Sequence, residues 1–477
     1  MRYIKLLLPA LLLLLLVSCN KFLDVQPVDK FLDRQVYSNS ATIKTVLTGI
    51  YLNMAKPGMY GEGLSSTTVD VMGQYYNIAS TADTFYSVMR YNYNDASSVS
   101  RLGRIWSASY GAILNVNLFL YNVSRTEGVL SENEKRWMMG EAYAIRAYVA
   151  FDLLRLFGPV YAKDSTLNAI PYPVVPGTEI QPVLPANRVM DSIMADIGQA
   201  ETLLQNDPVR TEGVAAQGND NADNFFRMRN RRMNYYTVKA LTARFQLYRR
   251  NKAAAMEAAR LVITEAGGFF PFVNPDAVAS GVTQPNRVFS TEVITGLENA
   301  DMYPSYQAWF KASGLDSRAN LLRPEPNNLE ATYESMPNDI RYRNWFYVDP
   351  VSSTPVKTFF KYDATVRTPY THFQPLIRIS EMYYIMVECE PEEATAQTWF
   401  NTMRTSRGLP DVTFAGDRQT YLDKEYRKEF WGEGQLFFYY KRLNKTAIPN
   451  GAVASGTINM TTTQYVPPMP LLETEFR

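Results

Sequence analysis

Apolar residues recur every three or four positions over several long stretches of the chain, as they do in amphipathic helices. After Ser40, for example, Ile43, Val46, Leu47 and Ile50 fall on one helical face. The same spacing predicts helices over 40–54, 104–123, 131–157, 187–205, 233–250, 252–266, 380–388, 393–407 and 419–442. The tail after residue 442 is rich in Thr and Pro, and we expect it to be extended. The pattern therefore predicts a mainly α protein with little β structure.

Two pairs of neighbouring helices have the pattern of helical hairpins. In 236–244 and 253–260, alanines fall on the face where the two helices would meet, and only Arg250 and Asn251 separate the predicted elements. Small residues at such a contact are typical of a tetratricopeptide-like unit. The stretches 380–388 and 393–407 form a second candidate pair. The spacing between the pairs is irregular, so the sequence predicts a tetratricopeptide-like hairpin scaffold and not a regular solenoid.

Two long segments, 57–100 and 267–378, lack the helical period. The first is rich in Gly, Ser, Thr and Tyr, and the second places aromatic residues among Pro, Asn, Asp and Gly. These compositions predict loops. Loops of this length in a compact protein are usually functional, so we expect binding residues to lie in these two insertions.

Composition narrows the possible chemistry. With 48 Lys and Arg against 47 Asp and Glu, the charge is balanced, which argues against nucleic-acid binding. His372 is the single histidine, so no site can use several imidazoles, and no nucleophile motif lies near it. Of the two cysteines, Cys389 lies in an apolar helical stretch and is expected to be a small buried hydrophobe.

The N-terminus has the pattern of a secretory signal. Arg2 and Lys5 precede an apolar run over 6–17, which is shorter than the roughly 20 residues needed to span a bilayer. The run ends at Ser18-Cys19 and resembles the lipobox of bacterial lipoproteins, whose cysteine is acylated. This predicts a signal peptide over 1–18, lipidation of Cys19, a tether over 19–39 and a single domain over 19–477.

Six motifs in order along the chain resemble the SusD/RagB-like lipoprotein family of Bacteroidetes. They are Cys19 with Phe22-Leu23-Asp24 and Pro27; Gly140-Glu141-Ala142 with Arg146-Ala147, Phe151 and the stretch from Leu156 to Val160; Ala240-Leu241 with Arg244 and Tyr248; Arg378 to Tyr383 with Asn401, Arg404, Arg407 and Gly408; Glu425, Arg427, Glu429-Phe430, Glu433-Gly434 and Phe437 to Arg442; and Tyr465 with Pro468-Met469-Pro470 and Glu473. Gln435 stands where the family usually has Arg, and Phe438-Tyr439-Tyr440 replaces an acidic-apolar pair.

The resemblance implies a non-catalytic surface lipoprotein of the outer membrane, held there by its lipid anchor. Such a protein captures an oligosaccharide and delivers it to a SusC-like, TonB-dependent transporter, its implied partner. A peptide-capturing member of the family is an alternative, and a lipid-anchored glycoside hydrolase or a pure protein-binding scaffold is a weaker one. No cofactor is implied, although Asp and Asn in the loops leave a structural calcium ion open. No nucleic-acid partner is expected.

Candidate ligand contacts follow from the same resemblance. Sugars present apolar CH faces and polar rims, so aromatic side chains with polar neighbours suit them. The candidate residues are Tyr75, Tyr76, Asn77, Tyr91 and Tyr93 in the first insertion and Tyr303, Tyr306 and Trp309 in the second. Ordinary packing of these aromatics is the competing interpretation.

The charged residues of the motifs have a structural interpretation. They lie on predicted helices beside apolar faces, where paired charges would tie one helix to the next, and catalytic carboxylates are the alternative. The residues concerned are Arg146, Arg244, Arg404, Arg407, Glu381, Glu425 and Glu429.

Overall fold

The computed structural model describes residues 35–177, 179–219, 224–279, 281–312, 320–349 and 356–475. Cys19 and the signal sequence lie outside the described residues. The α-helices are α1 Ser40–Met54, α2 Thr68–Met72, α3 Tyr86–Met89, α4 Ala96–Ser124, α5 Glu132–Phe157, α6 Ala186–Leu203, α7 Val209–Glu212, α8 Tyr235–Tyr248, α9 Lys252–Ala266, α10 Met302–Trp309, α11 Pro326–Thr332, α12 Ile340–Trp345, α13 Ile379–Cys389, α14 Glu393–Ser406, α15 Arg418–Glu429, α16 Leu436–Arg442, α17 Thr462–Tyr465 and α18 Leu471–Thr474.

Within these described ranges, the strands form four two-stranded antiparallel ladders. They are β1 Asn168–Pro171 with β2 Val183–Pro185, β3 Val293–Glu298 with β6 Phe373–Arg378, β4 Phe346–Val348 with β5 Lys357–Phe359, and β7 Ala447–Pro449 with β8 Thr457–Asn459. The β3–β6 ladder is almost completely buried. The tail expected to be extended thus contains β7, β8 and two short helices. The predicted mainly α fold with little β structure is confirmed.

The long helices pack in a row. Helix α4 packs on α5, α5 on α6, α6 on α8, α8 on α9, α9 on α13 and α13 on α14. The apolar face that the sequence predicts for each helix is buried in these contacts. Both predicted hairpins, α8–α9 and α13–α14, are present as packed neighbours. Their tetratricopeptide-like character stays a prediction.

Helix starts follow the capping residues. Ser131 and Glu134 form a capping box at the start of α5. Helix α4 begins at Ala96, earlier than predicted, because the Asp95 side chain accepts a hydrogen bond from the backbone N–H of Ser97 (2.9 Å). The apolar spacing alone did not predict that residues 96–103 are helical.

The prediction of one final helix over 419–442 is wrong, because the chain breaks between α15 and α16. Gly432 and Gly434 adopt positive φ angles of 81° and 68°, which favour glycine. Their backbone N–H groups donate to the two carboxylate oxygens of Asp70, at 2.7 and 3.0 Å. A distant acid in the first insertion therefore fixes this turn.

The first insertion is also more ordered than a set of loops. It contains α2 and α3, and its side chains from Thr67 to Tyr76 are buried. Asp70 and Gln74 are among them, and both make hydrogen bonds to segments more than a dozen residues away. The segment 57–76 is thus part of the core.

Buried ion pairs join the helices, as the structural interpretation of the charged motifs predicts. Arg244 of α8 donates two hydrogen bonds to Glu381 of α13, at 2.7 and 2.6 Å. Arg146 of α5 makes a similar bidentate contact with Asp196 of α6. Two-point contacts of this kind fix both distance and orientation.

A larger ionic network surrounds the C-terminal end of α15. Glu429 accepts hydrogen bonds from Arg341, Arg378 and Arg407, and Arg407 also binds both oxygens of Glu292 at 2.7 Å. All of these side chains have zero exposure. Arg341, in turn, donates to Glu425 (2.8 Å) and, through two N–H groups, to Asp339. Helices α12 and α15, strand β6 and the end of α14 therefore meet in one set of compensated charges.

Among the described residues, we find no helix whose length and apolarity would let it cross a bilayer.

We expect Arg244→Met to lower the free energy of unfolding by about 3 kcal/mol or more, because Glu381 would be left as a buried charge without its partner. Urea titration followed by circular dichroism measures this loss. Arg188→Met is the matched control, since its pair with Asp191 is 72% and 48% exposed and should contribute less than about 1 kcal/mol. Equal losses in the two variants would contradict the proposed role of the buried pair.

Acid should destabilise the fold through the ionic network. Burial alone would raise the pKa of Glu425, but Arg341 and Lys428 outweigh it and lower the pKa to about 2. A carboxyl with a depressed pKa contributes stability above its unfolded pKa and loses it as the pH falls toward the folded value. The free energy of unfolding should therefore fall between about pH 4.5 and about pH 2. Glu425→Gln should be less stable at pH 7 and lose less on acidification, and a variant with the wild-type pH profile would contradict this.

Candidate functional site

A cavity of about 460 Å³ opens in the second insertion. It lies between α10, α12, the β4–β5 hairpin and the segment 360–366. Its lining consists of Arg287, Tyr306, Lys311, Arg343, Asn344, Tyr347, Asp349, Thr358, Phe360, Asp363, Thr365 and Val366. Aromatic faces and charged groups therefore share one concave surface.

Helix α10 supplies one aromatic pair. Tyr303 and Tyr306 lie three residues apart, so they share a helix face, and their rings are nearly parallel at 5.9 Å between centroids. Tyr306 is buried and lines the cavity, while Tyr303 is half-buried beside it. The Tyr303 hydroxyl lies 3.3 Å from Oγ1 of Thr365, which ties the helix to another part of the lining.

The β4–β5 hairpin supplies a second aromatic surface. Successive strand residues point to opposite faces, so Phe346 is buried while Tyr347 is 45% exposed. The Tyr347 ring stacks on Phe360, with centroids 4.9 Å apart and an interplanar angle of 29°. Phe360 is held in turn by its backbone N–H, which donates to the carbonyl of Trp345 (2.7 Å). Tyr347 is thus an exposed ring on a rigid support.

Charged groups stand next to these rings. The Arg287 guanidinium lies 4.3 Å from the Phe360 ring centroid, and its Nη1 is 3.7 Å from a carboxylate oxygen of Asp363. Asp363 also accepts a hydrogen bond from Oγ1 of Thr365 (2.7 Å). Burial lowers the pKa of Arg287, and the Asp363 charge opposes this shift. Burial and then the charge of Asp363 raise the pKa of Tyr306, so its hydroxyl keeps its proton at neutral pH.

The candidate residues of the first insertion lie in the core. The Tyr75 ring packs 4.1 Å from Trp431, and the Tyr76 hydroxyl donates to the carbonyl of Ser66 (3.0 Å). Tyr91 donates to the carbonyl of Met72 (2.7 Å), and its ring contacts that of Tyr93. All four rings are at most 7% exposed. None of them lines the cavity, and the packing interpretation describes them in this structure.

Asn77 and Trp309 are partly buried. The Asn77 backbone N–H donates to the carbonyl of Arg323 (2.7 Å). Trp309 is half-buried and packs edge-on against Phe85, outside the cavity lining. Of the eight candidate ligand contacts, Tyr306 is therefore the one that lines the cavity, with Tyr303 stacked against it.

The sequence prediction did not include Tyr347, Phe360, Arg287 or Asp363 as binding residues. Tyr347 and Phe360 were visible as aromatic residues of the second insertion, but their contact depends on a three-residue strand pairing. Arg287 and Asp363 are 76 positions apart and meet only through the fold. The run of aromatic and β-branched residues over 345–348, which favours a strand, was the available signal for Tyr347.

Among the described residues, no group of three or more His, Cys, Asp or Glu side chains is placed to hold a metal ion. His372 lies directly before β6, where its backbone carbonyl accepts a hydrogen bond from Asn299 (2.7 Å). Cys389 is buried, as expected for a small hydrophobe, and burial raises the pKa of its thiol to about 12.

Two family models match the chain. One, described as "starch-binding associating with outer membrane", matches residues 21–218, and the other, described as "SusD family", matches residues 299–467. The matches do not overlap, and together they take in most of the chain.

Individual proteins are similar over different lengths. A curated relative, SusD-like protein P2 of Formosa agariphila, is 24% identical over 195 residues. That match covers 40% of this chain and spans about a third (36%) of the relative's length.

Solved structures match over nearly the whole chain. A SusD-like carbohydrate binding protein from Bacteroides vulgatus has a TM-score of 0.70 at 17% identity, covering 92% of this chain and 96% of its own. Surface glycan-binding protein A from Bacteroides fluxus has a TM-score of 0.63 at 19% identity, covering 92% and 97%. At these identities the similarity establishes the fold.

Proposed function

The chain belongs to the SusD/RagB-like family, and from this membership we propose that it captures an oligosaccharide at the cell surface without catalysing a reaction. The names of its structural relatives as carbohydrate-binding and surface glycan-binding proteins support this proposal. The cavity of the second insertion is the proposed site.

The observation that carries the proposal is the stacked pair of Tyr347 and Phe360 beside Tyr306 in that cavity. A pyranose ring presents a face of C–H groups that packs on an exposed aromatic ring, while its hydroxyls need polar partners at the edge. Tyr347 supplies the exposed ring, and Asn344, Arg343 and Thr365 supply polar groups in the same lining. The volume of about 460 Å³ falls in the usual range for small-ligand pockets.

We further propose that Cys19 carries the lipid anchor and that the bound glycan passes to a SusC-like, TonB-dependent transporter. The support is the lipobox-like sequence that ends at Cys19 and the family membership. Several acyl chains on one residue give stable attachment, where a single chain gives only marginal binding.

Tyr347→Ala should weaken glycan binding about tenfold, because loss of a central aromatic contact costs more than about 1 kcal/mol. Calorimetric titration of the full mature chain with maltoheptaose, laminarin oligosaccharides and acidic oligosaccharides measures the effect. Tyr121→Ala is the matched control, since Tyr121 is 46% exposed on α4 and lies outside the cavity. Release of shortened sugars, or no binding to any glycan, would contradict the proposed function.

Cys19→Ala should leave the protein folded but move it from the membrane fraction to the soluble fraction. Fractionation of cells, followed by circular dichroism of the purified variant, measures both properties. The wild-type protein should co-purify with its transporter in mild detergent. Membrane retention of the folded variant would contradict the anchor assignment.

A further inference from the structure

The cavity lining carries more positive than negative charge. Arg287, Lys311 and Arg343 contribute three cations, and Asp349 and Asp363 contribute two carboxylates. Three cations against two carboxylates give this lining a net charge of +1, which equals the formal net charge of the whole 477-residue chain. A concave surface with low-dielectric walls concentrates such a field.

The three cations keep their hydrogen-bond donors available. Arg287 is positioned by the Phe360 ring and by the 3.7 Å contact with Asp363, a distance too long for a hydrogen bond. Within the part of the chain that the structure describes, the side chains of Arg287, Lys311 and Arg343 donate no hydrogen bond to another residue. The network around Glu429 is the contrast, since each of its guanidinium groups is bound by carboxylates.

Both carboxylates of the cavity lining already have partners. Asp363 is 4% exposed, accepts the hydroxyl of Thr365 and faces Arg287. Asp349 also makes an interaction within the protein. A neutral sugar would therefore meet three cationic donors in this lining, while the acceptors left to it are the Asn344 amide oxygen and hydroxyl groups.

We infer that the cavity recognises an acidic oligosaccharide, one that carries carboxylate or sulfate groups. This inference rests on the proposed function and names its ligand class. A guanidinium fork matches two oxygens of a carboxylate or sulfate, and such charge-assisted bonds are roughly twice as strong as neutral ones. Tyr347 would stack on the sugar ring, while Arg287, Arg343 and Lys311 bind its charged groups.

The test compares acidic glycans with their uncharged counterparts. Oligogalacturonate and its carboxyl-reduced form test the carboxylate, and carrageenan oligosaccharides and their desulfated form test the sulfate. Maltoheptaose and laminarin oligosaccharides are the neutral references. Calorimetric titrations of the mature chain are run at about 50 mM and about 300 mM salt.

At least one acidic glycan should bind at least tenfold more tightly than its uncharged form, and the difference should shrink at high salt. Arg343→Gln and Lys311→Gln should each weaken that binding several-fold. Both side chains lie on the cavity lining and make no hydrogen bond to another described residue, so the variants should fold. Arg188→Gln, an exposed arginine outside the lining, is the matched control and should leave the affinity unchanged.

Two results would overturn the inference while the proposed function stands. In the first, neutral glycans bind as tightly as acidic ones and lose affinity in Tyr347→Ala but not in Arg343→Gln or Lys311→Gln. In the second, acidic glycans bind with an affinity that none of the three cavity substitutions changes, while neutral glycans still depend on Tyr347. Absence of binding by any glycan, acidic or neutral, would instead remove the proposed function and the inference together.

Discussion

The fold depends on the burial of Glu429 among three arginines. An isolated carboxylate in a protein interior is strongly disfavoured, and an arginine is equally so, but here each charge is compensated. Because Arg341, Arg378 and Arg407 come from α12, the end of β6 and the end of α14, their common partner brings three distant parts of the chain to the end of α15. Removing one member would leave the others charged and buried. The network therefore fixes how these elements are arranged around the end of α15.

The candidate binding cavity is attached to this network. Arg378 also binds Glu433 in the turn after α15, and Lys361 donates to Glu433 and to the carbonyl of Trp431. Phe360, directly before Lys361, lines the cavity and supports Tyr347. Lys361 is thus anchored in the core, and its chain neighbour Phe360 lines the cavity.

The sequence predicted the long helices well because their apolar periods are long and their capping residues are local. It also predicted that Arg244 and Arg407 are structural, since charges beside apolar helical faces need partners. The sequence prediction failed where residues distant in the chain determine the local structure. Asp70, for example, ends the predicted final helix by binding the amides of Gly432 and Gly434. For the same reason, the composition of the two insertions could not distinguish Tyr75 and Tyr91 from Tyr306. Burial by α15 and α16 makes them core residues, and no local pattern contains that information.

Hydrogen–deuterium exchange of the full mature chain, with and without a bound oligosaccharide, tests most directly where the ligand sits. Binding in the cavity should slow exchange in peptides that cover 302–311, 343–349 and 356–366, which carry Tyr306, Tyr347 and Phe360. Peptides that cover 75–93 should change little, because none of their residues lines the cavity. Protection confined to 75–93, or to surfaces outside the second insertion, would contradict the assignment of the site to this cavity.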